Sequence, residues 1–160
     1  KQAKEMDSVV KLFRDSEEWV GVKVGTGIED VNPLLKQVGD NGLIIWGIGD
    51  RSTEAAKLGT KGHTSGIAVA YAKASDAINN AQRAGDFAES SRVEKAISGL
   101  EDIRFRNNRV YNYYSAVVEA MHLSGFNDID GGEGAPFNPR VPAEVAAEVA
   151  RVIEGLAEWH

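Results

Sequence analysis

The acidic loop near the end of the chain has the residue types that bind a hard cation. Asp128, Asp130 and Glu133 lie in a segment that is rich in glycine. Calcium prefers several carboxylate oxygens on a tightly turning backbone. The EF-hand pattern also needs a third Asp or Asn before the glycine and a glutamate further on, and both are missing. The loop is therefore either a calcium site or an acidic surface turn, and the missing residues favour the surface turn. Calcium would be the one cofactor of the chain, and otherwise we expect none.

A second candidate site, formed by Lys61, Gly62 and His63, would bind an anion. These residues precede a predicted helix, and the free N–H groups at the start of a helix can hold an anion. Their order is not that of a Walker loop, however, because the lysine comes before the glycine. His63 and Ser65 do not form a nucleophile pair on sequence grounds. An ordinary loop is the alternative.

A third group of residues combines arginine with aromatic side chains on a predicted long helix. Arginine and tyrosine are frequent anchors at protein interfaces, and both can also stack on nucleobases. Phe105 falls opposite the apolar stripe of this helix, where it would be exposed unless another segment covers it. The group predicts either a protein interface or packing against the β segment of the same chain. Its members are Arg104, Phe105, Arg106, Asn107, Arg109 and Tyr113.

The apolar stripe of the same helix recurs in heptads from Val93 to Met121. A stripe of this width is typical of a helix in a globular bundle. Asn107 occupies an a position, where a polar residue can fix the register of a coiled coil. The stripe therefore predicts a bundle within one chain, and self-association through this helix is the alternative.

The elements that would position these groups are mostly helical. Apolar spacing and capping signals predict four main helices at 2–19, 66–84, 86–123 and 143–159. Gly85 is predicted to end the second of these helices, and Asp86 to cap the third. Runs rich in β-branched residues predict two strands, at 19–24 and 43–48. The predicted fold is mostly α (α+β): an antiparallel helical bundle with a small two-stranded β element near the N-terminal third. We expect a single helical domain over 1–160, with a β insertion at about 19–50.

Composition limits the classes of function. The chain has 160 residues, a formal net charge of -6 and no cysteine. The absence of cysteine excludes disulfides, thiol catalysis and iron–sulfur clusters, and the acidic balance disfavours nucleic acid as a partner. No apolar run approaches the roughly 18 residues that a membrane-spanning helix needs. Because the sequence begins with Lys1 and not with Met, the chain is either processed or trimmed at this end. We expect a processed, extracytoplasmic chain.

The sequence shows no catalytic constellation, since its histidines are far apart and no HExxH pair exists. We therefore predict a non-enzymatic structural module for protein interaction or self-assembly, with another copy of the chain as its partner. The first alternative is a calcium- or small-ligand-binding domain. The second is a small hydrolase-like enzyme built on His63 and nearby carboxylates.

Overall fold

The computed structural model describes residues 2–38, 42–106, 113–126 and 139–160. The chain divides into two compact units, Lys1–Thr64 and Ser65–His160. Each unit has a hydrophobic core of its own. In the part of the chain that is described, no helix is long and apolar enough to cross a membrane.

The first unit alternates helices with strands. Its three strands form one parallel sheet in the order β1-β2-β3. Parallel neighbours need a crossover connection, and helices supply it here. The elements in chain order are α1 (Gln2–Asp15), β1 (Gly21–Val24), a 3₁₀ turn (Ile28–Asp30), α2 (Val31–Val38), β2 (Leu43–Trp46), α3 (Thr53–Leu58) and β3 (Gly62–His63).

One face of this sheet is covered by the helices, and the other is open. Side chains alternate along a strand, so Val24 and Trp46 point into the helix-covered core. Lys23 and Ile45 are partners in the register between β1 and β2, and they lie on the opposite face together with Leu43. Lys23 is exposed, and Leu43 keeps 43% of its surface exposed. We call the face that carries Lys23, Leu43 and Ile45 the open face.

The second unit is helical and packs around one apolar cluster. Its elements are a 3₁₀ turn (Ile67–Val69), α4 (Ala72–Ala84), α5 (Phe87–Phe105), α6 (Ser115–Leu123), α7 (Ala143–Ile153) and a last 3₁₀ turn (Ala157–Trp159). Helix α4 ends at Gly85, which has a φ of 75°, and α5 begins after Asp86, whose carboxylate accepts a hydrogen bond from the N–H of Glu89. The cluster contains Ile67, Tyr71, Ile78, Val93, Ile97, Leu100, Ala116, Val149 and Leu156.

The predicted fold class is wrong. The first unit contains three parallel strands alternating with helices, and not a two-stranded insertion into an antiparallel bundle. Strand β3 has only two residues, Gly62–His63, and is too short to give a periodic signal. The long helix predicted at 86–123 was also wrong, because α5 ends at Phe105 and α6 begins at Ser115.

Candidate active site

Lys23 lies near the carboxyl end of β1, and its stem passes over the first residue after β2. That residue is Gly47. A Cβ atom built on it would lie 2.8 Å from both Cγ and Cε of Lys23, and 2.7 Å from the carbonyl oxygen of Val24. Because such distances are too short for real contacts, only glycine fits beneath this lysine. The side chain thus extends toward the carboxyl ends of the strands, which is where ligand sites form in parallel sheets.

A pocket of about 210 Å³ adjoins Lys23 on the other side of β1. Its polar lining includes Thr26, whose hydroxyl donates to the carboxylate of Asp30. The remaining walls are mainly apolar side chains of α1, β1 and α2. They are Met6, Val9, Val22, Val24 and Leu34.

A buried histidine–aspartate pair lies at the carboxyl ends of β2 and β3. Nε2 of His63 is 3.3 Å from Oδ1 of Asp50, and the two side chains keep only 3% and 0% of their surfaces exposed. Nδ1 of His63 has no hydrogen-bond partner among the described residues. His63 had been predicted in a loop, but it ends a strand, and its imidazole is buried.

The other predicted anion-site residues do not surround a helix start. Lys61 is exposed, and its backbone N–H donates to the carbonyl of Ile44 at 2.9 Å. Gly62 is part of β3, where it lies opposite Ile45. These N–H groups therefore belong to the edge between two strands, and the anion site stays a prediction without a described cradle.

The predicted interaction group lies in the second unit and is only partly exposed. Arg104 is buried, with 1% of its surface exposed, and its guanidinium pairs with the buried carboxylate of Glu101. Nε of Arg104 also donates to the carbonyl of Tyr113 at 3.1 Å. Phe105 is half-buried, with its ring 5.6 Å from that of Tyr113. This part of the group holds α5 to the segment before α6.

Among the described members of the group, Arg106 is the exposed one, and its guanidinium donates to the carboxylate of Glu148 at 2.7 Å. This hydrogen bond lowers the pKa of the Glu148 carboxyl. Asn107 and Arg109 lie outside the described residues, as do the predicted metal ligands Asp128, Asp130 and Glu133. Among the residues that are described, no group of three or more His, Cys, Asp or Glu side chains could hold a metal ion.

Lys23 is the site residue that the sequence reasoning missed. A single lysine between valines at alternating positions is typical of a strand with one solvated face, so its type carried no signal. The available signal was its context. A glycine-rich turn follows directly at Gly25–Gly27, and Gly47 lies within the next predicted strand, 43–48. Glycine at such positions marks a close approach of the backbone to another group.

Parallel strands that alternate with helices, with a lysine over their carboxyl ends, are the arrangement found in α/β barrels. The sequence model of the dihydrodipicolinate synthetase family matches residues 3–141 of the chain. The chain belongs to this family. No curated protein sequence gives a significant match.

Solved structures share this fold. Dihydrodipicolinate synthase from Bacillus clausii is 23% identical, with a TM-score of 0.77 over 91% of this chain and 49% of its own. A structure described as the first monomeric dihydrodipicolinate synthase variant is 18% identical, with a TM-score of 0.81 over 97% and 50%. A catalytic lysine mutant of the Ruminococcus gnavus sialic acid aldolase is 15% identical, with a TM-score of 0.65 over 81% and 42%. The chain thus spans about half the length of these structures, or slightly less.

Membership of an enzyme family shows that the predicted function was wrong. The chain is not a non-enzymatic structural module, and neither alternative holds, the calcium- or ligand-binding domain or the hydrolase-like enzyme. The reason is chemical. Sequence motifs reveal clusters of catalytic side chains, whereas a covalent mechanism can depend on one lysine amine in a suitable environment.

Proposed function

We propose that Lys23 is the Schiff-base lysine of an aldolase-type lyase, and that the whole protein makes or breaks a carbon–carbon bond next to a carbonyl group. The observation that carries this proposal is the position of Lys23 at the carboxyl end of a parallel strand, with its stem over Gly47. The catalytic lysine of the Ruminococcus gnavus sialic acid aldolase, a protein of similar fold, supports it.

The positions of the other lysines also favour Lys23. Among the described residues, it is the one lysine that lies on a strand. In parallel sheets and barrels, ligand sites form at the carboxyl ends of the strands, and a lysine on an outer helix does not lie there. The remaining described lysines lie on helices or in the loop before β3. They are Lys4, Lys11, Lys36, Lys57, Lys61, Lys73 and Lys95.

A lysine amine at this position has a defined chemistry. The neutral amine of Lys23 adds to the carbonyl carbon of a substrate, the carbonyl oxygen leaves as water, and a protonated imine forms. The imine accepts the electron pair of the bond between the α and β carbons as that bond breaks. The hydroxyl group on the β carbon gives its proton to a base and becomes the carbonyl of the released aldehyde, and an enamine remains on Lys23. Protonation of the enamine carbon and hydrolysis then free the amine. These steps use no metal, and we propose no cofactor.

Trapping with a reductant tests this proposal. Pyruvate, a small 2-oxo acid with a ketone, is incubated with the chain, and sodium borohydride reduces any imine to a stable amine. We expect the intact chain to gain the mass of pyruvate less one oxygen atom, with the modification mapped to Lys23 by peptide mass spectrometry. The Lys23→Arg variant should gain nothing, because arginine forms no imine under these conditions.

Lys61→Arg is the matched control, since it removes an exposed lysine from the same unit and should keep the adduct. An adduct distributed evenly over several lysines, or an adduct that persists in Lys23→Arg, would refute the assignment. Absence of any adduct from the unmodified chain would refute it as well.

The partner expected from the sequence, another copy of the chain, remains a proposal. We propose that in solution a second copy binds the amino-terminal edge of the open face and leaves the amine of Lys23 accessible. Apolar side chains cluster at the amino ends of β1 and β2, where the carbonyl of Val20 accepts from the N–H of Leu43 at 2.9 Å. Trp19, Val20 and Leu43 keep 48%, 71% and 43% of their surfaces exposed. Large apolar side chains exposed near one another in this way favour association.

A further inference from the structure

We propose that Asp50 and His63 are positioning residues for Lys23. Their buried contact holds the turn after β2, and this turn keeps Gly47 beneath the lysine stem. The inference deepens the proposed function and rests on it, because it concerns the same lysine. It assigns a role to the most deeply buried titratable pair of the first unit, which the imine chemistry itself does not use.

The first link is the contact between Gly47 and Lys23. The N–H of Gly47 donates to the carbonyl of Val24 at 2.7 Å, so the residue after β2 is fixed against the residue after Lys23. The Cα of Gly47 then lies directly against the methylene groups of Lys23. Any movement of Gly47 therefore changes the position of the lysine amine.

The second link is the turn from Gly47 to Asp50. Gly49 has a φ of 62°, a left-handed conformation that is costly for residues with a Cβ. The turn ends at Asp50, which is buried with 1% of its surface exposed. A buried carboxylate needs compensating contacts, and the imidazole of His63 supplies one of them. The far end of the turn is therefore anchored in the interior.

The third link is the strand that carries the histidine. His63 lies opposite Trp46 in the register of the parallel sheet, and the N–H of Thr64 donates to the carbonyl of Trp46 at 2.9 Å. The imidazole thus extends from a strand end that is already fixed to β2. Through Asp50 it ties the turn back onto the sheet.

The locations of the side chains also indicate that Asp50 and His63 act by positioning and not by contact with the substrate. Trp46 points into the helix-covered core, and its register partner His63 is buried as well, whereas Lys23 lies on the open face. The pair therefore acts on Lys23 through the backbone of the turn and not by touching a substrate held at the amine.

Two amide substitutions at His63 test whether the contact with Asp50 is needed, or whether any polar side chain at this position is enough. In His63→Gln the terminal amide can occupy the position of Nε2, so a donor to Asp50 is retained. In His63→Asn the shorter side chain places its amide near the position of Nδ1, which has no partner among the described residues. Both variants carry a side-chain amide, and they differ in the length of the side chain.

The main readout follows Lys23 directly and does not depend on activity. Reductive methylation with ¹³C-formaldehyde gives each lysine one dimethylamine resonance in an NMR spectrum, and Lys23→Arg identifies the Lys23 resonance by its loss. We expect His63→Asn to shift this resonance and His63→Gln to leave it in place. In separate, unmethylated samples, pyruvate trapping should slow on the order of tenfold to a hundredfold in His63→Asn only.

Val38→Ala is the control for general loosening, because it trims the buried core of the first unit away from the turn and should leave the Lys23 resonance unchanged. A folded His63→Asn variant with an unchanged resonance overturns the positioning role. If that variant does not fold, Asp50→Asn replaces it, and an unchanged Lys23 resonance in folded Asp50→Asn overturns the positioning role. If the unmodified chain traps no pyruvate while the resonance still shifts in His63→Asn alone, the proposed function fails and the positioning role stands.

Discussion

In the second unit, the burial of Tyr71 affects its protonation. Its ring is fully buried, and its hydroxyl forms a 2.8 Å hydrogen bond with the hydroxyl of Ser124. Burial raises the pKa of Tyr71 above the ordinary value of 10.0, and the bond to Ser124 opposes this rise with a smaller effect. The folded chain therefore holds Tyr71 neutral in a pH range where the unfolded chain begins to ionise it.

The sign of the pH dependence follows from this raised pKa. The contribution of Tyr71 to the free energy of unfolding is complete below pH 10.0 and is lost as the pH rises above that value. Tyr71→Phe should lower the free energy of unfolding by about 1 kcal/mol at neutral pH, because it removes the bond to Ser124. Chemical denaturation from neutral to alkaline pH should show this difference shrinking above pH 10.0. A difference that is constant at all pH values would contradict the role of burial.

At the residue scale the sequence predicted little of the candidate site. It singled out His63 as chemically interesting, but not its buried partner Asp50. It treated Arg104 as an exposed contact residue, whereas that side chain is buried against Glu101. Both partnerships depend on the tertiary fold, which brings a strand end to a turn in one case and buries a helix face in the other. Sequence spacing alone does not contain that information.

The connection between α4 and α5 is the element that the sequence predicted best. Gly85 was predicted to end α4 and Asp86 to cap α5, and both predictions are confirmed. Their signals are local, because a left-handed glycine and a side-chain cap depend only on neighbouring backbone groups. The N–H of Glu89 donates to the Asp86 carboxylate at 3.0 Å, which satisfies one of the free donors of the first helical turn.

This cap gives a prediction at the scale of one helix. Asp86→Ala should lower the free energy of unfolding by about 1 kcal/mol, because the N–H of Glu89 loses its acceptor. Asp86→Asn keeps an acceptor oxygen and should cost less. Thermal or denaturant unfolding followed by circular dichroism measures both variants. Equal losses in Ala and Asn would show that the charge of Asp86, and not its hydrogen bond, stabilises α5.

Strands β1 and β2 were predicted in nearly the right places, but their arrangement was not. The predicted ranges 19–24 and 43–48 contain the observed strands Gly21–Val24 and Leu43–Trp46. They pair directly and in parallel, and β3 continues the alternation of strand and helix as a third parallel strand. Because β3 is two residues long, its existence follows from pairing with β2 and not from a pattern of its own. The heptad stripe predicted a helical bundle instead.

At the scale of the whole molecule, the open face sets how the chain behaves in solution. Leu43→Glu places a charge in the apolar patch, where a second copy would have to bury it. Light scattering after size exclusion should give a mass above 17.2 kDa for the unmodified chain and a mass near that value for Leu43→Glu. Lys36→Glu, on the exposed side of α2, is the control and should not change the mass. A monomer in every case would rule out a second copy on the open face.

The contact between Lys23 and Gly47 has a consequence for comparing genes. Because only glycine fits under the lysine, the two positions should vary together among related sequences. A relative that keeps the lysine but has a larger residue at the glycine position would have to hold its amine elsewhere. The pair of positions therefore offers a simple criterion for sorting newly sequenced homologues into those that conserve this arrangement and those whose ancestors abandoned it.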